Sequence, residues 1–202
     1  MLPQHPSRTT FWSSWLLALV PILATGGDDQ GGGAGFACPA AGTVYTLSMP
    51  LAMSAAPQFR NRITIAGQRG EDCHVLSEAQ GESWLHVGLV DRNSQDAWLK
   101  AAEAIWPLKV GKTGHATIRY NIDLWTVDYR VEAFAPFEAR LGTFDAYKIV
   151  GTLQLNGKPV STTTRWWAPD LKYTISYRQV RADDGSDQCW EIAAIGKAAP
   201  ER

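Results

Sequence analysis

From residue 38 onward the apolar positions recur every second residue rather than every three or four. In the run Leu124–Ala133, Trp125, Val127, Tyr129, Val131 and Ala133 fall on one face, and Thr126, Asp128, Arg130 and Glu132 fall on the other. That alternation predicts a half-buried β-strand. The same period predicts strands over Thr117–Leu124 with Ile118, Tyr120 and Ile122 inward, and over Tyr147–Leu155 with Tyr147, Ile149, Leu153 and Leu155 inward. A further strand is predicted over Leu171–Arg181 with Tyr173, Ile175 and Tyr177 inward. Leu155-Asn156-Gly157-Lys158 joins two such runs, and Asn-Gly accepts the positive φ values of a type I′ hairpin turn. Asp183-Asp184-Gly185-Ser186 predicts a second turn before a closing strand around Cys189–Ile195. Connections this short make the neighbouring strands antiparallel.

One stretch breaks the period. Ser94–Ile105 has a candidate capping serine and a run of helix formers, and it stops at Pro107. It predicts one short helix whose Trp98 and Leu99, with Ile105 and Trp106 after them, cover an open end or face of the sheet. The expected fold is therefore mainly β: a single curved antiparallel sheet, half-barrel or cone-like, with one short helix.

The N-terminal region follows a different rule. Phe11–Ala24 is apolar and interrupted by Pro21, with Arg8 before it and the small residues Ala24-Thr25-Gly26 after it. This is the pattern of a secretory signal peptide, shorter than the roughly 20 apolar residues of a spanning helix. Residues 1–26 are read as that signal, 27–37 as a glycine-rich flexible linker, 38–196 as the β domain and 197–202 as a tail. An uncleaved interfacial anchor is the alternative for the first segment. The expected location is the periplasm or the exterior of a bacterial cell.

Charge and cysteine content narrow the function classes. The 202 residues carry 19 Lys and Arg against 20 Asp and Glu, so no basic surplus points to nucleic acid or anionic lipid. Cys38, Cys73 and Cys189 show no zinc or thioredoxin spacing. In an oxidising compartment a Cys38–Cys73 disulfide would pin the first strand and leave Cys189 as the odd thiol. Acylation of Cys38 is the competing reading, and with the uncleaved signal it is the only route to a membrane.

Four ordered blocks carry a family likeness: Trp106-Pro107-Leu108-Lys109-Val110-Gly111-Lys112, Tyr129-Arg130-Val131-Glu132, Gly142-Thr143-Phe144-Asp145-Ala146-Tyr147-Lys148-Ile149, and Trp166-Trp167-Ala168-Pro169-Asp170-Leu171-Lys172-Tyr173. Together they resemble the TapB-like family of bacterial envelope proteins, whose function is unknown. The resemblance implies an exported, twisted antiparallel sheet and no assigned chemistry. The chain departs from the family pattern at Arg140-Leu141 and at Gly114-His115.

No H-E-x-x-H, G-x-S-x-G or phosphate-loop motif occurs, and no cofactor or metal is expected. The acid pairs Glu71-Asp72 and Asp183-Asp184 read as solvated turn residues. His74 and His86 would face each other across a hairpin if Glu78–Glu82 formed a three-residue loop, and would face opposite sides if the loop had two. Tryptophan is abundant, with nine residues. Neighbouring Trp166 and Trp167 must point to opposite faces of a strand. Trp166 shares its face with Val160 and Ala168 and is expected inside. Trp167 shares its face with Ser161, Thr163 and Arg165, so Trp167 and Arg165 are the candidate ligand-binding residues. The sequence thus points to a non-enzymatic envelope protein that binds a hydrophobic ligand or a partner protein on a concave β-face. A carbohydrate-binding module or hydrolase using an exposed Trp face is the alternative.

Overall fold

The computed structural model describes residues 36–48 and 60–199. The expected signal peptide and all but the last two residues of the linker lie outside the described residues. Those last two include Phe36, which is not linker-like: its ring is buried and meets Trp106 edge-on at 5.1 Å between centroids.

The strands are β1 (Thr43–Ser48), β2 (Arg60–Arg69), β3 (Asp72–Ser77), β4 (Gly81–His86), β5 (Val90–Asp91), β6 (Thr113–Tyr120), β7 (Asp123–Ala139), β8 (Gly142–Leu155), β9 (Lys158–Ala168), β10 (Tyr173–Arg181) and β11 (Asp187–Lys197), with the helix α1 (Asp96–Glu103) between β5 and β6. They form one open antiparallel sheet of order β5-β4-β3-β2-β1-β11-β10-β9-β8-β7-β6. The fold is thus mainly β with one short helix, as the two-residue period requires. Consecutive strands pair, except that β5 and β6, joined through α1, form the two edges of the sheet, and β1 lies beside β11, with Thr43 opposite Lys197 and Tyr45 opposite Ile195. Part of the expected tail belongs to the sheet, since Lys197 ends β11 and the Ala198 N–H donates to the Gly42 carbonyl at 2.7 Å.

The turns follow their residue chemistry. Asn156 and Gly157 take φ of 52° and 75°, both in the left-handed region that a type I′ hairpin demands. The strand expected over Thr117–Leu124 is instead two strands. Asn121 adopts φ of 55° and turns the chain, Tyr120 pairs with Asp123, and Ile122 is 88% exposed. The apolar alternation runs unbroken through this turn, and asparagine's tolerance of positive φ ends the strand where the pattern does not. The turn between β2 and β3 falls at Gly70-Glu71, where Gly70 takes φ of 60°.

In β10 a bulge between Thr174 and Ser176 shifts the register, so Thr174 pairs with Trp167 and Tyr177 with Arg165. Tyr177 therefore shares a face with Thr174, rather than continuing the expected alternation from Tyr173 and Ile175. Helix α1 begins after Gln95 with no side-chain cap, so Ser94 is not the expected cap; its N–H closes a turn onto the Asp91 carbonyl at 2.9 Å.

Tyr45, Ile65, Val87, Ile105, Val131, Ile149, Ile175 and Ile192 are the largest fully buried side chains. Each contributes on the order of 1.5–3 kcal/mol by leaving water. Leu99 and Ala102 of α1 join this core, while Ala101 packs with Ala116 and Val127 in a second cluster. The helix lies so close to β6 that a Cβ on Gly114 would stand 1.8 Å from the Ala101 carbonyl oxygen. Cys38 and Cys73 form a disulfide with Cα atoms 5.7 Å apart, tying the segment before β1 to β3. Gln68 reinforces the tie: its Oε1 accepts from the Cys38 N–H at 3.0 Å.

Candidate ligand site

Curvature brings distant strands around one cavity of about 740 Å³. Leu47 of β1, Ile63 of β2 and Leu85 of β4 line it from one half of the sheet. Arg165 of β9, Tyr177 of β10 and Trp190 of β11 line it from the other, and Gly88 and Leu89 lie between them. Residues this far apart in a sheet share a wall only because the sheet is curled. The Tyr177 and Trp190 rings, cross-strand partners by register, stack with centroids 5.7 Å apart. Burial pushes the Tyr177 phenol above its ordinary value, and the Arg165 guanidinium partly opposes that rise. Tyr129, paired through Gly151 to the same region of the sheet, shifts upward for the same reason. A Cβ at Gly151 would lie 2.6 Å from Thr163 Oγ1 and 3.0 Å from the Tyr129 ring, so any larger residue there would displace both side chains.

Two charged side chains line the cavity. Asp187 is held by Arg178, with Nε at 2.9 Å and the terminal nitrogen at 2.7 Å from Oδ2. Arg165 donates to the Leu89 carbonyl and stands over the Tyr177 ring, its Cζ 5.2 Å from the centroid. Its Nε is buried without a hydrogen-bond partner, and no carboxylate pairs with it among the described residues.

The expected roles of the tryptophan pair are exchanged. Trp167 is 6% exposed and belongs to the core, packed edge-on against Trp106 at 5.0 Å, whereas Trp166 is half-buried and stacks on Phe137 at 4.6 Å. The polar neighbours Ser161, Thr163 and Arg165 suggested an exposed face. The face they share with Trp167 is in fact the concave one, roofed at the Trp167 end by Phe36, Gly88 and Trp106. Arg165 does lie on the cavity wall. Trp167 lies beside that wall, with Thr174, its register partner, among the lining residues.

A second polar group lies where β3, β4 and α1 meet. The His86 side chain is 5% exposed, with Nδ1 2.6 Å from Asp72 Oδ1 and Nε2 2.8 Å from Glu103 Oε1. Arg92 approaches Asp72 at 3.4 Å. Glu71, His86 and Glu103 hold donor atoms within 4.8 Å of one another, a grouping with metal-ligand chemistry that the sequence reading did not find. Its third member comes from the helix, and only the meeting of two hydrophobic faces brings it close. His74 and His86 do not pair: Ser77 opposite Gly81 closes the hairpin, so His74 faces Trp84 and His86 faces Asp72. His74 instead stacks on Trp84 at 4.5 Å, with Arg69 over the same indole.

No helix among the described residues is long and apolar enough to cross a membrane. No family model matches the sequence, and no curated protein does. The solved structures similar to this chain are distant and include the following three. A candidate exported protein of YmcC-like fold from Bacteroides fragilis is 11% identical, covering 82% of this chain and 100% of its own, with a TM-score of 0.44. The hypothetical lipoprotein YmcC from Escherichia coli is 11% identical, covering 81% and 89%, with a TM-score of 0.45. A candidate lipoprotein from Parabacteroides distasonis is 8% identical, covering 80% and 98%, with a TM-score of 0.39.

Proposed function

We propose that this chain is an exported binding protein of the bacterial envelope that holds a hydrophobic small molecule inside its curved sheet. The observation that carries the reading is the cavity, whose volume of about 740 Å³ lies in the range of small-molecule sites of about 300–1,000 Å³ and whose wall combines Leu47, Ile63, Leu85 and Trp190 with a few polar groups. The apolar segment Phe11–Ala24 followed by small residues supports export, and the ordered blocks from Trp106 to Tyr173 support kinship with TapB-like envelope proteins. Binding rather than turnover is favoured because the cavity's one carboxylate, Asp187, is committed to Arg178. The test is titration of the folded protein with the neutral fluorophore N-phenyl-1-naphthylamine. Saturable uptake at one site, weakened when Leu85→Trp fills the cavity, is the expected result. A folded protein that takes up no probe overturns the reading.

A further inference from the structure

Apolar walls alone would take any greasy molecule, but this cavity contains a cation. We infer that its ligand is an anionic amphiphile, with a carboxylate-type headgroup seated on Arg165 and an apolar body lying along Leu47, Ile63, Leu85 and Trp190. The inference rests on the binding reading above and adds the ligand's charge.

Three observations carry it. First, the two opposite charges lining the cavity are not paired with each other. Asp187 is neutralised by Arg178, which leaves the Arg165 guanidinium without a carboxylate partner among the described residues. The half-buried guanidinium keeps only part of its hydration and has no counter-ion, and a matching anion would compensate it.

Second, unsatisfied polar groups gather beside that charge. Arg165 Nε, Trp167 Nε1 and Thr174 Oγ1 are all buried without a hydrogen-bond partner. Arg165 and Trp167 are two residues apart on one face of β9, and Thr174 is paired opposite Trp167 across the ladder. The guanidinium and the indole nitrogen can only donate, and the hydroxyl can donate as well. Around Arg165 the unpartnered groups are thus mainly donors, which suits an oxyanion. The one unpartnered carboxylate oxygen on the wall, Asp187 Oδ1, lies opposite Val180, three positions further along β10 than Tyr177, the partner of Arg165.

Third, the guanidinium is already oriented. The Leu89 carbonyl takes one of its terminal nitrogens and the Tyr177 ring supports its plane. Its remaining donors are thus preorganised for the planar, two-oxygen geometry of a carboxylate.

The experiment compares two chains of equal length that differ only in the headgroup. Dodecanoate and dodecanol each compete with bound N-phenyl-1-naphthylamine, on the wild-type protein and on Arg165→Gln. The wild type should prefer dodecanoate by at least tenfold, which corresponds to about 1.4 kcal/mol. Arg165→Gln should abolish that preference, bringing the ratio of dodecanoate to dodecanol affinity to about one. Acetate at the same concentrations should not displace the probe, which separates an amphiphile site from a free-anion site. Equal affinity for dodecanoate and dodecanol in the wild type overturns this inference and leaves the binding reading standing, and it needs no variant to be read. Displacement by acetate as strong as by dodecanoate also overturns it. Failure of the wild type to take up probe or either chain overturns the binding reading itself.

Discussion

The tie between Cys38 and Cys73 is expected to be the largest single covalent contribution to stability, and its size can be worked out. The cysteines are 35 residues apart. In the chain-entropy description, a crosslink closing a loop of that length removes roughly 13 cal/mol/K from the unfolded chain, or about 4 kcal/mol at 25 °C. A domain with a total stability of about 5–15 kcal/mol would lose a large fraction of it. With a urea slope of roughly 2–3 kcal/mol per molar, the unfolding midpoint of Cys38→Ser/Cys73→Ser should fall by about 1.3–2 M. The loss has a local component too. Without the bond, Phe36 is held against Trp106 and Gly88 only by packing and by the Gln68 contacts. Amide exchange at position 38, whose N–H donates to Gln68 in the wild type, should then accelerate before the sheet opens. The assay is urea unfolding followed by circular dichroism, with Cys189→Ser alongside as a control that leaves the crosslink intact. A midpoint shift below about 0.5 M, or a Cys189→Ser protein as weakened as the double variant, would refute the reasoning.

Gly114→Ala would place a methyl 1.8 Å from the Ala101 carbonyl oxygen and force α1 off the sheet, at a cost of about 1–3 kcal/mol or more by chemical denaturation. Gly67→Ala, with nothing within 4 Å of the new methyl, should stay within about 0.5 kcal/mol, and equal effects from the two would contradict the close approach. Trp167→Ala should destabilise by roughly 3–5 kcal/mol and Trp166→Ala by only about 1–2 kcal/mol, read from the same unfolding curves. The reverse order would restore the assignment that the sequence pattern suggested. Burial pushes the Tyr45 phenol up to about 12, so its folded pKa exceeds the unfolded value of 10.0. Stability should therefore be full below pH 10 and fall as pH rises from 10 toward 12, by on the order of 2–3 kcal/mol from this group. The pH dependence of the unfolding midpoint checks this, since Tyr45→Phe should flatten the alkaline slope, and an unchanged slope would refute the assignment.

The fold was largely legible because its information is local. Alternation along Trp125–Val131, the Asn156-Gly157 pair and the Asp184-Gly185 turn each act within a few residues, and the structure follows them. The misreadings occur where a local signal was overruled. Asn121 broke a strand whose apolar alternation continued through Ile122, and the bulge at Ile175 changed which residues share a face with Tyr177. The site was less legible. Whether the face of Arg165 and Trp167 is concave or solvent-facing is a property of the whole sheet's curvature, and no residue on β9 encodes it. Polar neighbours around Trp167 therefore read as exposure, although they mark a partly polar interior. The His86 group shows the same limit, since Glu103 reaches it only after helix and sheet have packed.

The pairing of β1 with β11 divides the order of assembly. Every other ladder among the described residues joins strands consecutive in the chain, and all but β1–β2 close over two to five residues, with little loss of chain entropy. The β1–β11 ladder alone must bring together segments from opposite ends of the domain, and it is therefore expected to close last. Until then Thr43–Ser48, a run of threonine, valine, tyrosine and leucine suited to strand pairing, has β2 on one side and bare N–H and C=O groups on the other. During synthesis β1 is made first and waits for the last strand of the sheet, and over that interval its unpaired edge is the place where a second nascent copy could dock in place of β11.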